Sequence, residues 1–242
     1  MKDKSKLLKI LCLVISAIIL IFLAIYIYFY RNEPPLIDSA IRDFFYNIRG
    51  EKYGFMFWFN RLITEFGNFF IVVLVLLVLV IATRLDYRAI LAVIGVMLAL
   101  ILNLGLKEFY DRVRPIEENR WMVENTTSFP SAHSTIAGFL YSYIIYMIWH
   151  TDLKKYVKNI LYGVNVLIIF LVMSSRLVLG VHYFTDVIAG LISGIMVSAL
   201  MMYLSKYMVE NDILQNGIFK KKKNEWKCIK ITLFFIFLII FG

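Results

Sequence analysis

Six uncharged, largely apolar runs of 15 to 21 residues recur along this chain, at 10–30, 69–83, 89–106, 134–149, 159–174 and 187–205. A helix rises 1.5 Å per residue, so about 20 apolar residues cross a hydrocarbon core of ~30 Å. The pattern predicts an all-α, polytopic membrane protein built as a six-transmembrane-helix bundle. The first run is read as an uncleaved helix: a secretory leader carries an apolar region of ~7–15 residues and a small-residue cleavage site, which this run lacks. Residues 31–68 mix charges with aromatics (Phe44, Phe45, Tyr46, Phe55, Phe57, Trp58, Phe59) behind Pro34-Pro35, which stop a helix. They are expected either to lie along the outer leaflet or to pack on neighbouring helices, and the residues leave both readings open. The chain then divides into an N-terminal tail at 1–9, a membrane domain at 10–205, and a basic tail at 206–242. The apolar end of that tail, 231–241, reads as a half-inserted segment or a partial seventh helix. No internal repeat or second soluble domain is visible.

Composition agrees with the pattern. The chain is 61% hydrophobic with a mean hydropathy of +0.75, whereas soluble domains run near ~45–50% apolar. The net charge of +9 would suit a nucleic-acid partner if it were spread at random, but it is not. With 1–9, 84–88, 150–158 and 206–230 on the cytoplasmic side, that side carries 16 basic and 6 acidic residues, and the other side 10 and 11. This is the positive-inside asymmetry. It places the N-terminus in the cytoplasm, leaves no excess charge calling for nucleic acid, and suits a bacterial plasma membrane. The Lys220 to Lys223 run is expected to face anionic headgroups. Cys12 and Cys228 lie in an apolar run and in the basic tail, without metal-ligand spacing.

The unusual polar residues cluster at the outer ends of the third to sixth runs. Lys107 opens KEFYDRVRP, which Arg114 and Pro115 close; Pro130 opens PSAHS, with Ser131, Ala132 and His133; then come Ser175, Arg176, His182 and Asp186. Ionisable residues beside a membrane span mark a functional site by default. His182 and Asp186, four apart, share a face if the segment is helical, so the carboxylate can hold one ring nitrogen and leave the other free. Three fixed cations, a hydroxyl at a helix start and two histidines describe a pocket for a phosphoryl group, with free backbone N–H groups after Pro130 adding donors. No carboxylate cluster suited to Mg²⁺ appears, so no metal or cofactor is expected. His150 reads as a cytoplasmic-side polar anchor. Arg112, Arg120 and Trp121, near the first motif, are candidates to touch a lipid headgroup but read rather as solvated or interfacial side chains, and Asp186 with Thr185 as a cap of the last helix.

These three segments resemble the motifs of the phosphatidic acid phosphatase type 2 (PAP2) superfamily, KxxxxxxRP, PSGH and SRxxxxxHxxxD. The first and third match in full spacing, and the second carries Ala132 where glycine is usual, a change expected to alter the oxyanion geometry slightly. The resemblance covers roughly residues 60–205. It implies a metal-independent covalent mechanism. His182 attacks phosphorus, Asp186 fixes the ring tautomer, and His133 protonates the leaving oxygen and then activates water. Lys107, Arg114, Ser131 and Arg176 hold the phosphoryl oxygens with backbone N–H groups near Ala132, and Ser175 orients Arg176 or the phosphate.

The expected function is hydrolysis of a lipid phosphate or diphosphate in the bilayer, such as undecaprenyl diphosphate, phosphatidylglycerol phosphate or phosphatidic acid. The alternatives are phosphoryl transfer to a lipid or sugar acceptor, and lipid transport on the same fold. Transport would call for polar groups at mid-span, of which Asn103 and Asn165 are the notable ones.

Overall fold

A computed structural model of the chain describes residues 2–211, with side chains described except at 2–13, 16 and 117. The expected partial seventh helix at 231–241, the Lys220 to Lys223 run, Cys228 and the Cys12 side chain lie outside what is described. Among the described residues the chain is all helical: α1 Lys2–Phe29, α2 Leu36–Ile48, α3 Phe55–Thr64, α4 Phe69–Ala82, α5 Tyr87–Tyr110, α6 Ala132–Trp149, α7 Lys155–Val178 and α8 Phe184–Glu210. Each expected run falls within, or nearly within, one of α1 and α4 to α8. The helices around the site reach further into the polar segments, because α5 continues to Tyr110 and α8 begins at Phe184.

Three helices, α5, α7 and α8, are long and apolar enough to cross a membrane. A fourth candidate is broken: α4 has 14 residues, roughly 21 Å at 1.5 Å per residue, and meets α3 through the 3-10 turn Glu65–Gly67 at a bend of 48°. The outward faces of the three long helices carry Ile94, Met97, Ile101, Phe170, Ile195 and Leu200, all exposed. Such an apolar surface is stable against lipid rather than water. Helix α2, one of the segments expected at the outer leaflet, likewise exposes Leu36, Ile37, Phe44 and Ile48.

Helix α6 sits at the centre, with Phe139, Leu140, Tyr143 and Ile148 fully buried against α4, α5, α7 and α8. Its seam with α8 is built from small residues. A methyl group on Gly194 would lie 2.2 Å from the Thr135 carbonyl oxygen, and one on Gly190 2.5 Å from that of Ser131. The spacing Gly190-xxx-Gly194 lets two backbones touch, as in helix pairs packed within membranes. Across the bundle, Asn103 on α5 donates to the Pro130 carbonyl at 3.3 Å and to Thr135 Oγ1 at 3.1 Å, tying α5 to the start of α6. The seam and this tie hold the starts of α6 and α8 beside the end of α5.

Candidate functional site

Four helix ends meet at one end of the bundle: the C-terminal ends of α5 and α7 and the N-terminal ends of α6 and α8. Two short pieces of chain join them, and each has a local cause. Helix α7 ends in a Schellman motif. Gly180 takes φ +71°, its N–H donates to the Leu177 carbonyl at 3.0 Å, and the Val181 N–H donates to that of Arg176 at 3.2 Å. A side chain at 180 would be strained and would crowd Tyr46 Oη at 2.9 Å. The motif turns the chain inward, so His182 follows Arg176 into the same pocket. The loop from Asp111, itself left-handed at φ 42°, to Ser131 folds back over the helix ends. It is held by Ser128 N–H to the Arg112 carbonyl at 2.8 Å and Trp121 N–H to that of Leu179 at 2.9 Å, and it closes on a cis Phe129-Pro130 bond.

The His182 side chain is 2% exposed. Its Nε2 lies 3.1 Å from Arg114 Nη1. Arginine can only donate, so Nε2 presents its lone pair and the ring proton sits on Nδ1. Nδ1 is 3.5 Å from Ser128 Oγ and 3.6 Å from Asp186 Oδ2, and the Ser128 hydroxyl donates to that same Oδ2 at 2.5 Å. The His182–Asp186 pairing expected from their spacing is present as a contact longer than a hydrogen bond, with Ser128 beside it. Burial pushes the His182 pKa well below its ordinary value, and Arg114, Arg176 and Lys107 push it the same way. The ring is therefore neutral at pH 7.

The three cations converge on this ring from different elements. Lys107, from α5, reaches the Thr127 carbonyl. Arg114 donates to the carbonyls of Thr126 at 2.6 Å, Val181 at 2.7 Å and Thr127 at 3.2 Å, and burial lowers its pKa to about 10. Arg176 is fully buried, donating through Nη1 to Thr64 Oγ1 at 2.8 Å and through Nη2 to Glu124. The Arg176 Nε–H has no partner among the described residues. His133, on the first turn of α6, is half-buried and close enough to feel the charges of Arg176, His182, Arg114 and Lys107. Ala132 starts the helix beside it.

Two hydroxyls are turned elsewhere. Ser131 Oγ caps α6, accepting from Ser134 N–H at 3.4 Å and from Ser134 Oγ at 3.0 Å. Ser175 Oγ donates back to the Val172 carbonyl at 2.7 Å, so Thr64 and Glu124, rather than Ser175, are the partners of Arg176.

Several residues enter that sequence reasoning passed over. Glu124 bridges Arg176 and Arg114, the latter at 3.8 Å. Burial alone would raise its pKa, but Arg176 and Arg114 outweigh burial and hold it below the ordinary carboxylate value. Ser128 sits in the same loop, which carries no periodicity to read. Arg112 requires a correction. Expected in solvent, it is 1% exposed, paired with Asp186 and with Asp38 of α2, the latter at 2.7 Å. Trp121, also expected at the interface, is buried against Phe57, Val178, Leu179 and Val181, with the Arg49 guanidinium 4.5 Å from its ring. Both go inside because the loop folds back over the helix ends. Arg120 is half-buried and donates to the Pro115 carbonyl at 2.6 Å. His150 stays exposed at the opposite end, its Nδ1 2.9 Å from the Tyr146 carbonyl. Asp186 also accepts from the Tyr183 N–H at 2.9 Å, so it does close the first turn of α8. Among the described residues no three His, Cys, Asp or Glu side chains converge as a metal site.

The family model of the PAP2 superfamily matches residues 88–210. Phosphatidylglycerophosphatase B of Bacillus subtilis (strain 168) is 38% identical over 97 residues, 40% of this chain and 47% of that protein, so the match spans about half of the curated relative. The solved transmembrane PAP2-type phosphatidylglycerolphosphate phosphatase from Bacillus subtilis superposes with a TM-score of 0.69 at 27% identity, covering 81% of this chain and 96% of that one. Aquifex aeolicus LpxE shares the fold, with a TM-score of 0.59 at 22% identity over 71% of this chain and 98% of that one.

Proposed function

The chain belongs to the PAP2 superfamily, and from that premise we propose that it hydrolyses a lipid phosphate through a phosphohistidine on His182, with phosphatidylglycerophosphate the first candidate substrate. The observation that carries the reading is the Nε2 lone pair, kept unprotonated and aimed at the three cations by Arg114 at 3.1 Å. A phosphoryl group entering between His182 and Arg114 meets the lone pair on one side and the guanidinium on the other. Lys107, Arg114 and Arg176 neutralise its oxygens, and the unpartnered Arg176 Nε–H is a donor already in place.

The steps balance without a further reactant. His182 Nε2 forms a bond to phosphorus as the bond to the lipid oxygen breaks, and that oxygen takes the proton that His133 gains once the entering phosphate dianion has offset the three cations. Positive charge on the substituted ring is offset by Asp186. Neutral His133 then accepts a proton from water, whose oxygen attacks phosphorus. The P–N bond breaks, releasing orthophosphate and returning His182 with its proton on Nδ1. Because Glu124 holds Arg176 and Arg114 in the resting site, substrate has to displace its carboxylate.

Six spans with the N-terminus in the cytoplasm and this site at the outer face of a plasma membrane complete the proposal, supported by the charge asymmetry and by the gathering of the motifs at one end of the bundle. The names of the relatives favour phosphatidylglycerophosphate over a prenyl diphosphate. The test is phosphate release by the purified protein from phosphatidylglycerophosphate, undecaprenyl diphosphate and phosphatidic acid side by side, with and without chelator. The reading expects preference for the first, no loss with chelator, and loss of turnover in His182→Ala. Unchanged turnover in that variant would refute it.

A further inference from the structure

Behind His182 and Asp186 lies a second layer of charge, formed by Arg112, which fills an unspecified position of the first motif, and by Asp38, which lies outside the span 88–210. Asp38, on the first turn of α2, is fully buried. Its Oδ1 accepts from the Thr185 N–H at 2.9 Å, and its Oδ2 from Thr185 Oγ1 and Arg112 Nη2, each at 2.7 Å. Arg112 spends its other arm, Nη1, on Asp186 Oδ1 and on Thr185 Oγ1 at 2.9 Å, and its guanidinium stacks 4.5 Å from the Tyr183 ring. Every group in the chain Asp38–Arg112–Asp186 is at most 1% exposed.

We propose that Asp38 is a positioning residue for the reaction at His182, acting through Arg112 to set both the orientation and the effective charge of Asp186. Resting on the phosphohistidine reading above, the argument is electrostatic. A buried arginine facing one carboxylate makes a neutral pair, and a neutral pair offers little to a ring that becomes positive on phosphorylation. With a second carboxylate on the opposite arm, the cluster holds one cation and two anions. Its net charge of −1 is directed along Asp186 towards His182 Nδ1. Geometry adds to charge: Arg112 takes Oδ1, so Oδ2 is the oxygen left for Ser128, the Tyr183 N–H and the histidine. Burial works against the Arg112 charge, but Asp186 and Asp38 outweigh it and hold the guanidinium above its ordinary range. Helix α2, whose outer face is apolar, thereby reaches the reacting ring through a single arginine.

A purely structural role is the competing account, since Asp38 also caps the start of α8. The experiment separates the two with orthovanadate, which completes a trigonal bipyramid by bonding the attacking nitrogen, and orthophosphate, which needs only the cations. In the full chain in detergent, Asp38→Asn keeps the shape and removes the charge. The expected result is about tenfold weaker vanadate binding and about tenfold lower kcat on phosphatidylglycerophosphate, with phosphate binding and KM held within about twofold. In an Asp186→Asn background, where the link from Arg112 to the ring is gone, the same substitution should cost much less than tenfold. Equal weakening of both anions, or the same factor lost in the Asp186→Asn background, overturns the proposal. Should Asp38→Asn fail to fold, Arg112→Lys keeps the charge but loses the fork that grips Asp38 and Asp186 on opposite arms. A vanadate-selective loss there supports the inference, and unchanged vanadate binding overturns it. Wild-type protein that binds vanadate yet releases phosphate from none of the lipids refutes the proposed activity and leaves the vanadate comparison standing.

Discussion

Replacing Glu124 by Gln tests whether the resting site is held by a carboxylate standing where phosphate will bind. The Glu124 side chain, 21% exposed, pairs with Arg176 and lies 3.8 Å from Arg114, so its charge opposes any anion entering between them. Hydrogen bonds to charged groups contribute about 1.5–3 kcal/mol, roughly twice a neutral bond. Glutamine keeps the shape and one hydrogen bond, so the charge lost is put at about 1 kcal/mol, close to a fivefold change in a binding constant. The assay is competitive inhibition by orthophosphate, the product of the proposed reaction, at fixed pH and salt. Inhibition should tighten about fivefold in Glu124→Gln, and KM should fall with it. An unchanged or weaker phosphate constant would mean that Glu124 supports Arg176 in the working site, and the competition argument would fail.

Three further outcomes follow from the geometry. Gly194→Ala places a methyl group 2.2 Å from a backbone oxygen that cannot swing away and should cost about 1–3 kcal/mol, read as a lower Tm in detergent. Gly105→Ala, with nothing within 4 Å, should gain roughly 0.5–1 kcal/mol, and equal effects at the two positions would contradict the seam. Arg112→Met strips the cation from two buried carboxylates and should destabilise the fold by about 3–5 kcal/mol, measured by denaturation; a loss under about 1 kcal/mol would mean the pairings are weak. His182 and Glu124 both have pKa values below those of the unfolded chain. Their contributions are complete above the unfolded values and are lost as pH falls, His182 beginning below 6.5 and Glu124 below 4.5. A Tm that stays flat from pH 7 to 4 would count against this.

The parts of the site that can be read from sequence are those fixed at short distances from helix ends and their caps. His182 lies just ahead of α8 in the turn that leads to Asp186 on its first turn, and Arg176 and His182 are spaced by a C-terminal cap whose glycine is itself in the sequence. Lys107 and Arg114 sit across the end of α5. What escaped was set by the path of a loop. Arg112 and Val113 are neighbours in a polar stretch, yet one is buried and the other faces outward, and no periodicity distinguishes them. Glu124 acquires meaning only when the loop carries it back to Arg176, 52 residues away. Asp38 was hidden differently. On its helix Leu36, Ile37, Phe44 and Ile48 face out while Asp38 faces in, against the pattern that identifies a soluble amphipathic helix. The run at 69–83 is legible as apolar and short, but not its 48° bend to α3, at which Asn68 caps α4 by accepting from the Phe70 N–H at 3.4 Å.

The glycine seam between α6 and α8 also bears on traffic. Backbones that would meet an added methyl group at 2.2 and 2.5 Å leave no gap for an acyl chain, so that side of the bundle is a closed wall from Gly190 to Gly194. A lipid sliding in from the bilayer therefore has to enter past another pair of helices. The search for residues that select among lipids belongs on those walls and on the folded-back loop, not along the tightest contact in the molecule.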